Sequence, residues 1–345
     1  MNGLSLRGAE LTLPDESRMT MTMEGHSNRI AVVIPCYKVT RHILSVIAGI
    51  GPECCRIYVI DDRCPDESGA FVRANCSDPR VKVLVNEVNL GVGGAVMAGY
   101  KAAIEEGMDI IVKVDGDGQM NPRLIPEFVA PIIAGEADYT KGNRFFDLEE
   151  IASMPPVRLI GNAVLSFLTK MSAGYWDLFD PTNGFTAIHR HVAARLPMAK
   201  ISRRYFFETD MLFRLNTLRA VVVDIPMSAV YADEVSHLKI SRIVAEFFAK
   251  HMRNFLKRIF YNYYLRDMSL ASLELPLGLA MMMFGAVFGG YHWIMAIINS
   301  KSTPTGTIML AALSLLMGLQ FVLAFIAHDV ASVPRRVMHR RVTNT

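Results

Sequence analysis

Two carboxylates one residue apart, placed where an apolar run gives out, are the groups in this chain best suited to chemistry. Asp115-Gly116-Asp117 closes the run IIVKVDGD at 110–117, and Gln119 follows two positions later. In an extended segment, residues two apart project to the same side. Asp115 and Asp117 therefore form a holder for a hard divalent cation, with Gln119 as a further oxygen donor. A cation held in this way, its shell completed by phosphate oxygens, neutralises a diphosphate as it leaves. Asp117 is the first choice of metal ligand, while Asp115 meets a ribose or shares the metal. A second acidic pair, Asp61-Asp62, ends the run RIYVIDD at 56–62.

The elements that must position these acids can be read from the pattern around them. From Ile30 onward, short apolar runs (IAVVIP 30–35, RIYVIDD 56–62, VKVLVN 81–86, IIVKVDGD 110–117) alternate with helix-like stretches around 40–50, 66–76 and 93–106. Strand and helix repeated this way predict an α/β domain with a parallel sheet and helices on both faces. Ligands of such sheets bind beyond the carboxyl ends of the strands, which is where the four acids sit. Helix capping by Asp after a strand explains one or two of them, but not the DGD with its following Gln119. The Gly-rich stretch Asn89–Ala95 follows the third run and carries half of a dinucleotide fingerprint. The position three past its second Gly is Val96, which makes a nicotinamide oxidoreductase the weakest reading. The glycines fit a tight turn packed closely beside a bound nucleotide.

The 345 residues are 51% hydrophobic, and the excess concentrates after residue 270. Leu275–Ile298 and Thr307–Ala327 contain no Asp, Glu, Lys or Arg, and each meets the ~20 residues needed to cross ~30 Å of hydrocarbon. The alternative is a pair of buried core helices. Lys250, Arg253, Lys257, Arg258 and Arg266 precede the first stretch, and Arg335, Arg336, Arg340 and Arg341 follow the second, against Lys301 alone between them. Basic flanks stay on the cytoplasmic side. The expectation is thus an integral protein of the cytoplasmic membrane with its catalytic domain and both termini in the cytoplasm. The organisation predicted is a disordered lead (1–28), a catalytic domain (29–235), juxtamembrane amphipathic helices (236–270), a transmembrane hairpin (271–328) and a basic cytoplasmic tail (329–345). The lead lacks the apolar segment of a signal peptide. The five cysteines lie in the region placed in the cytoplasm, where disulfides are not expected, and their spacing fits no common zinc pattern. The formal charge of +3 is too small to matter as a whole, and no nucleic-acid partner is expected.

Five strings in order, VVIPCYK (32–38), VIDDRCPDES (59–68), NLGVGGAVMAGYKAA (89–103), VKVDGDGQMNP (112–122) and KGNRF (141–145), resemble family-2 glycosyltransferases. Within that family they are most similar to the polyprenyl-phosphate glycosyltransferases, the group of dolichol-phosphate mannose synthase. The resemblance spans about 30–270. It implies a type A glycosyltransferase fold (Rossmann-like, nucleotide-sugar-binding), a nucleotide-sugar donor, Mg2+ or Mn2+, and inversion at the anomeric carbon. By the same resemblance Pro35, Tyr37 and Asp62 line the nucleotide base and ribose with Asp61 assisting. Asp115, Asp117 and Gln119 match the family's acidic motif, and Arg144 matches an Arg that contacts the donor phosphates. The chain departs from the family pattern at Pro35-Cys36-Tyr37-Lys38 and at Asp61-Asp62-Arg63-Cys64.

Downstream, DPTNGFTAIHR (180–190) resembles a segment near sugar and acceptor, with Asp180 and Asn183 as contacts, although Asp180 before Pro181 is equally a turn residue. Glu208 and Asp210 open the helix MLFRLNTLRA and are either a general base or charges of its first turn. An alcohol acceptor needs such a base, whereas a phosphate monoester arrives mostly dianionic and needs cations. Lys239 and Arg242, three apart and so on one face of a helix, resemble the basic residues that hold a polyprenyl phosphate. From 243 to 265 aromatic and basic residues mix, as in a helix lying in a membrane interface among lipids. The expected acceptor is a polyprenyl phosphate. The rivals are a hydroxyl of a lipid-linked glycan or polysaccharide, and a non-catalytic membrane scaffold. The oligomeric state is left open, a homo-oligomer included.

Overall fold

The computed structural model describes residues 28–146, 156–228 and 240–342; the lead, except for Asn28, lies outside them. Seven strands, β1 (Ile30–Cys36), β2 (Cys54–Asp61), β3 (Val81–Val85), β4 (Ile110–Lys113), β5 (Tyr139–Asn143), β6 (Thr186–His189) and β7 (Val222–Pro226), form one sheet. Their order is β3-β2-β1-β4-β6-β5-β7. The first four strands pair in parallel, as the alternating pattern predicts. The sheet as a whole does not, because β6 runs antiparallel to both β4 and β5. Four residues, Thr186–His189, form this strand, too few for a clear period-2 signal in the sequence. The reversal has a use: β6 starts opposite Lys113 at the end of β4, so the segment before it reaches the sheet at the edge that carries the acids.

Alternate residues of β1 feed two apolar layers. Ala31 and Val33 pack toward α3 (Gly91–Glu105), while Val32 and Ile34 pack toward α1 (Ile43–Ala48), α2 (Ser68–Asn75) and α4 (Ile125–Ile133). Both faces of the strands are covered, which is why they read as nearly continuous Val and Ile. The α3 layer also takes the end of α5 (Pro156–Ala173), the short α6 (Arg190–Ala193) and α7 (Phe207–Leu218). Each large apolar side chain removed from water in these layers contributes ~1.5–3 kcal/mol.

Beyond the sheet, α8 (Ile240–Phe260) packs on α5 and α7, and a π-helical turn, Tyr261–Arg266, leads into α9 (Leu270–Ile298) and α10 (Thr305–Ala331). Both are long and apolar enough to cross a membrane, and only 22% and 17% of their most apolar windows are buried. Core helices would be mostly buried, so the exposure favours lipid as their surroundings. The two helices touch through small residues: a Cβ on Gly278 would stand 2.9 Å from the Gly318 carbonyl oxygen, and one on Gly318 would stand 2.7 Å from that of Gly278. Close backbone approach at glycine is how helices pack where apolar contact with lipid is no worse than contact with protein.

The hairpin is fastened to the domain by a buried cluster. Arg258 of α8 donates to both carboxylate oxygens of Asp329 in the last turn of α10, at 2.6 and 2.9 Å. Trp176 Nε1 and Tyr263 Oη donate to the same carboxylate at 2.9 and 2.6 Å. The segment after α10, predicted as a basic tail, instead returns to the sheet and ends in α11 (His339–Val342). The buried Asp138 carboxylate accepts the backbone N–H groups of Met338 (2.8 Å), His339 (2.9 Å) and Val221 (2.9 Å), and it pairs with His339 Nδ1 at 2.8 Å. The His339 ring stacks on His189 at 4.1 Å. Domain and returning segment are thus one body, and both ends of the hairpin lie on the same side.

Two consequences can be measured. Asp329→Ala leaves the buried Arg258 guanidinium uncompensated and should cost ~3–5 kcal/mol, read as a lowered denaturation midpoint in detergent; an unchanged midpoint would remove the cluster's structural role. His251 of α8 is buried against the Phe206 ring and within 2.8 Å of Ser172 Oγ. Burial pulls its pKa from 6.5 down to about 4. In that window the unfolded chain binds more protons, so this contribution to stability is full above pH 6.5 and falls away as pH drops toward 4. His251→Phe should flatten the loss of melting temperature across that window.

Candidate active site

Because β1, β2 and β4 are parallel neighbours, their carboxyl ends share one edge of the sheet, and four of the predicted acids lie there. They do different work. Asp61, at the end of β2, accepts the N–H of Cys64 (2.7 Å) on Oδ1 and that of Gly69 (2.6 Å), in the first turn of α2, on Oδ2. Asp62 accepts Asn86 Nδ2 (2.8 Å) and the Leu90 N–H (2.9 Å) on Oδ1, and the Gly91 N–H (2.6 Å) on Oδ2. Both acids therefore shape the turns that open α2 and α3, where helix N-terminal amides favour a carboxylate. Gly91 has φ +77°, and a Cβ there would lie 2.5 Å from the Arg203 carbonyl oxygen. The Gly-rich stretch thus packs on the 202–204 backbone, whose Arg203 carbonyl accepts the Gly93 N–H at 2.9 Å. Pro35 lies near the end of β1, and Tyr37, just beyond it, is 47% exposed.

The DGD segment leaves β4 as a turn. Asp117 Oδ1 accepts the Gln119 N–H at 3.0 Å, and the Asp115 N–H approaches Met120 Sδ at 3.3 Å. Asp115, Asp117 and Gln119 are brought into one turn, the grouping their spacing predicts. Among the described residues there is no set of three or more His, Cys, Asp or Glu gathered to hold a metal. Two hard carboxylates on one turn are nonetheless what Mg2+ or Mn2+ requires when substrate phosphates fill the rest of the shell. The residues fit such an ion: Asp117 and Asp115 would be its protein ligands, with Gln119 beside them.

Sequence reasoning passed over Lys113. It is 1% exposed, and its ammonium lies 2.9 Å from Asp115 Oδ1, 3.1 Å from Oδ2 and 3.5 Å from Glu208 Oε1 of α7. Burial alone would lower its pKa, but the two carboxylates outweigh burial and hold it above its ordinary value. The signal was present in KVD, since Lys113 and Asp115 are two apart on an extended chain. Gly184 closes over this ion pair: a Cβ there would meet Lys113 Nζ at 2.5 Å and Asp115 Oδ2 at 2.7 Å.

Arg144, after β5, forms a bidentate pair with Asp180: Nε to Oδ2 at 2.7 Å and Nη2 to Oδ1 at 3.2 Å, with its backbone N–H 3.3 Å from Oδ2. Asp180 is 0% exposed. Burial would raise its pKa, and Arg144 more than offsets that, leaving it below the usual carboxylate value. Asn183 Oδ1 accepts the Phe185 N–H at 2.9 Å, and the Asn183 carbonyl accepts from Lys141 Nζ. Burial lowers the Lys141 pKa to about 8. Glu208 and Asp210 fall in the first turn of α7, which starts at Phe207 rather than after the acids. Asp210 is buried, with Oδ2 accepting the Ser202 N–H (2.9 Å) and Oδ1 accepting Asn254 Nδ2 of α8 (3.0 Å). Arg242 lies in the first turn of α8, and Lys239 lies outside the described residues.

Residues 31–196 match the family model described as Glycosyl transferase family 2. The chain is 27% identical over 218 residues to a UDP-N-acetylglucosamine–dolichyl-phosphate N-acetylglucosaminyltransferase of Methanococcus voltae, covering 59% of this chain and 86% of the relative. It is 28% identical over 207 residues to an undecaprenyl-phosphate mannosyltransferase of Micrococcus luteus, covering 59% and 84%. Among solved structures, glucosyl-3-phosphoglycerate synthase of Mycobacterium tuberculosis with Mn2+, UDP and phosphoglyceric acid superposes with a TM-score of 0.50 at 18% identity. That superposition covers 67% of this chain and 78% of that one. It is a likeness of fold, a mixed α/β sheet of glycosyltransferase type A.

The fit of Gly184 over the ion pair gives a test. Gly184→Ala should displace Asp115 and weaken Mn2+-dependent binding of UDP or GDP by ~10-fold or more, as sub-ångström shifts in a packed site do. Calorimetry with unchanged affinity would show that this contact does not hold Asp115.

Proposed function

We propose that this chain, whose residues 31–196 match the Glycosyl transferase family 2 model, transfers one sugar from a nucleotide-sugar, a UDP-sugar or GDP-mannose, to a polyprenyl phosphate at the cytoplasmic face of a membrane. An oxygen of the acceptor phosphate forms the bond to the anomeric carbon on the face opposite the donor. The bond to the nucleoside diphosphate breaks, its electron pair leaving with the diphosphate, and the configuration at that carbon inverts. The divalent ion that Asp117 and Asp115 would hold supplies charge stabilisation to the leaving diphosphate. Arg144, fixed by Asp180, adds a cation with a set orientation, and Tyr37 and Pro35 flank the base. Arg242 and Lys239 are assigned to the acceptor phosphate.

The observation that carries this reading is the state of the two acids that were candidates for a base. Both oxygens of Asp210 accept hydrogen bonds inside the protein, and Glu208 faces the Lys113 ammonium. A hydroxyl acceptor needs a carboxylate ready to take its proton; a phosphate, with a second pKa of ~6, does not. The hairpin supports a lipid acceptor, since the Arg258–Asp329 cluster fixes the domain at its membrane end. The basic residues on both flanks support the cytoplasmic orientation.

The test is label transfer by the purified full chain in detergent. UDP-glucose, UDP-GlcNAc, UDP-galactose or GDP-mannose is offered with undecaprenyl phosphate and Mn2+ or Mg2+. Label should enter the lipid phase, fall at least ~100-fold in Asp117→Ala and keep about a tenth or more of its rate in Glu208→Gln. Donor hydrolysis without lipid labelling, or abolition by Glu208→Gln, would move the acceptor to a glycan hydroxyl.

A further inference from the structure

The strand register sets two buried lysines in a row. Lys113 of β4 lies opposite Thr186 of β6, and Thr186 lies opposite Lys141 of β5. Residues directly opposite in a ladder share a face. Both lysines are 1% exposed, in a setting where an uncompensated ammonium is costly, yet their surroundings differ. Lys141 donates to a neutral carbonyl, that of Asn183. Lys113 spans both oxygens of Asp115 and reaches Glu208 as well. An acid at the mouth of the site is thereby tied to one on α7 through a cation beneath them, with Gly184 pressed onto the pair.

A carboxylate whose two oxygens already face an ammonium offers less negative charge to a metal. We propose that Lys113 is a positioning residue that holds Asp115 against Glu208 and keeps the DGD turn a weak cation site until donor phosphates complete the shell. The inference rests on reading that turn as the metal holder. Its consequence is an order of binding: nucleotide and ion arrive together, and the ion is retained poorly once the diphosphate has gone. Asp115 is held ready at a fixed angle.

The test measures Mn2+ binding by electron paramagnetic resonance on the full chain in detergent, with and without UDP or GDP, alongside melting temperature. The unaltered protein should bind Mn2+ weakly alone and much more tightly with nucleotide. Lys113→Met should tighten nucleotide-free Mn2+ binding by about tenfold or more, as removal of a unit charge a few ångströms away does, and so narrow the gap between the two conditions. An uncompensated Asp115–Glu208 pair threatens folding, and Lys113→Met/Glu208→Gln, which removes one charge of each sign, carries the same test with tightening of about threefold. A merely structural Lys113 would lower the melting temperature and leave nucleotide-free Mn2+ affinity unchanged or weaker; that result in both variants overturns the proposal while the metal reading stands. If the unaltered chain binds Mn2+ neither alone nor with UDP or GDP, the metal reading itself falls, and the proposal with it.

Discussion

The arrangement of this molecule hangs on a single desolvated ion pair, Arg258 with Asp329. A guanidinium buried at the end of one helix and a carboxylate buried at the end of another are tolerable only together, because either one alone would carry several kcal/mol of unmet desolvation. Trp176 and Tyr263 complete the carboxylate's hydrogen bonds, so three segments distant in sequence, around residues 176, 258–263 and 329, meet at one carboxylate. The apolar hairpin cannot swivel freely against the sheet while this cluster is intact. The edge of the sheet that carries the DGD turn therefore has a set height and tilt relative to the ends of the two long helices.

Within the domain the acids divide by the partners their oxygens have. Asp61, Asp62 and Asp210 spend their oxygens on backbone amides or an amide side chain, fixing the turns before α2 and α3 and tying α7 to α8. Asp115 and Asp117 remain at the strand ends, and Glu208 sits between the two groups, facing an ammonium rather than an amide. This division explains how an edge so rich in carboxylates stays stable: each one has a defined donor or cation nearby, and little like-charge repulsion is left uncompensated.

Much of this was legible beforehand. The run IIVKVDGD announced a buried strand ending in a turn that carries two acids, because hydrophobic pattern and acid spacing are local signals. The long apolar helices were equally plain from length and the absence of charge. What the sequence did not reveal depends on contacts between distant segments. The antiparallel β6 has only Thr186–His189 to declare itself, and its direction is decided by where the chain enters the sheet. The scaffold roles of Asp61 and Asp62 required knowing that Gly69, Leu90 and Gly91 come within reach. Lys113 was visible as a lysine in a strand, but its burial between Asp115 and Glu208 joins residues 95 positions apart. The segment after α10 looked like a charged tail because its arginines are conspicuous and its anchor, Asp138, lies two hundred residues earlier.

That anchor bears on how the protein is made. A ribosome delivers residue 138 long before residues 338 and 339, and both apolar helices emerge in between. Until they do, the Asp138 carboxylate, wholly buried in the finished protein, lacks three of its hydrogen bonds, and His189 lacks the His339 ring at 4.1 Å. The sheet synthesised first therefore gains its last contacts only after both apolar helices have been made. A chain that ended within the hairpin would keep the strands but leave Asp138 short of the donors that residues 338 and 339 bring.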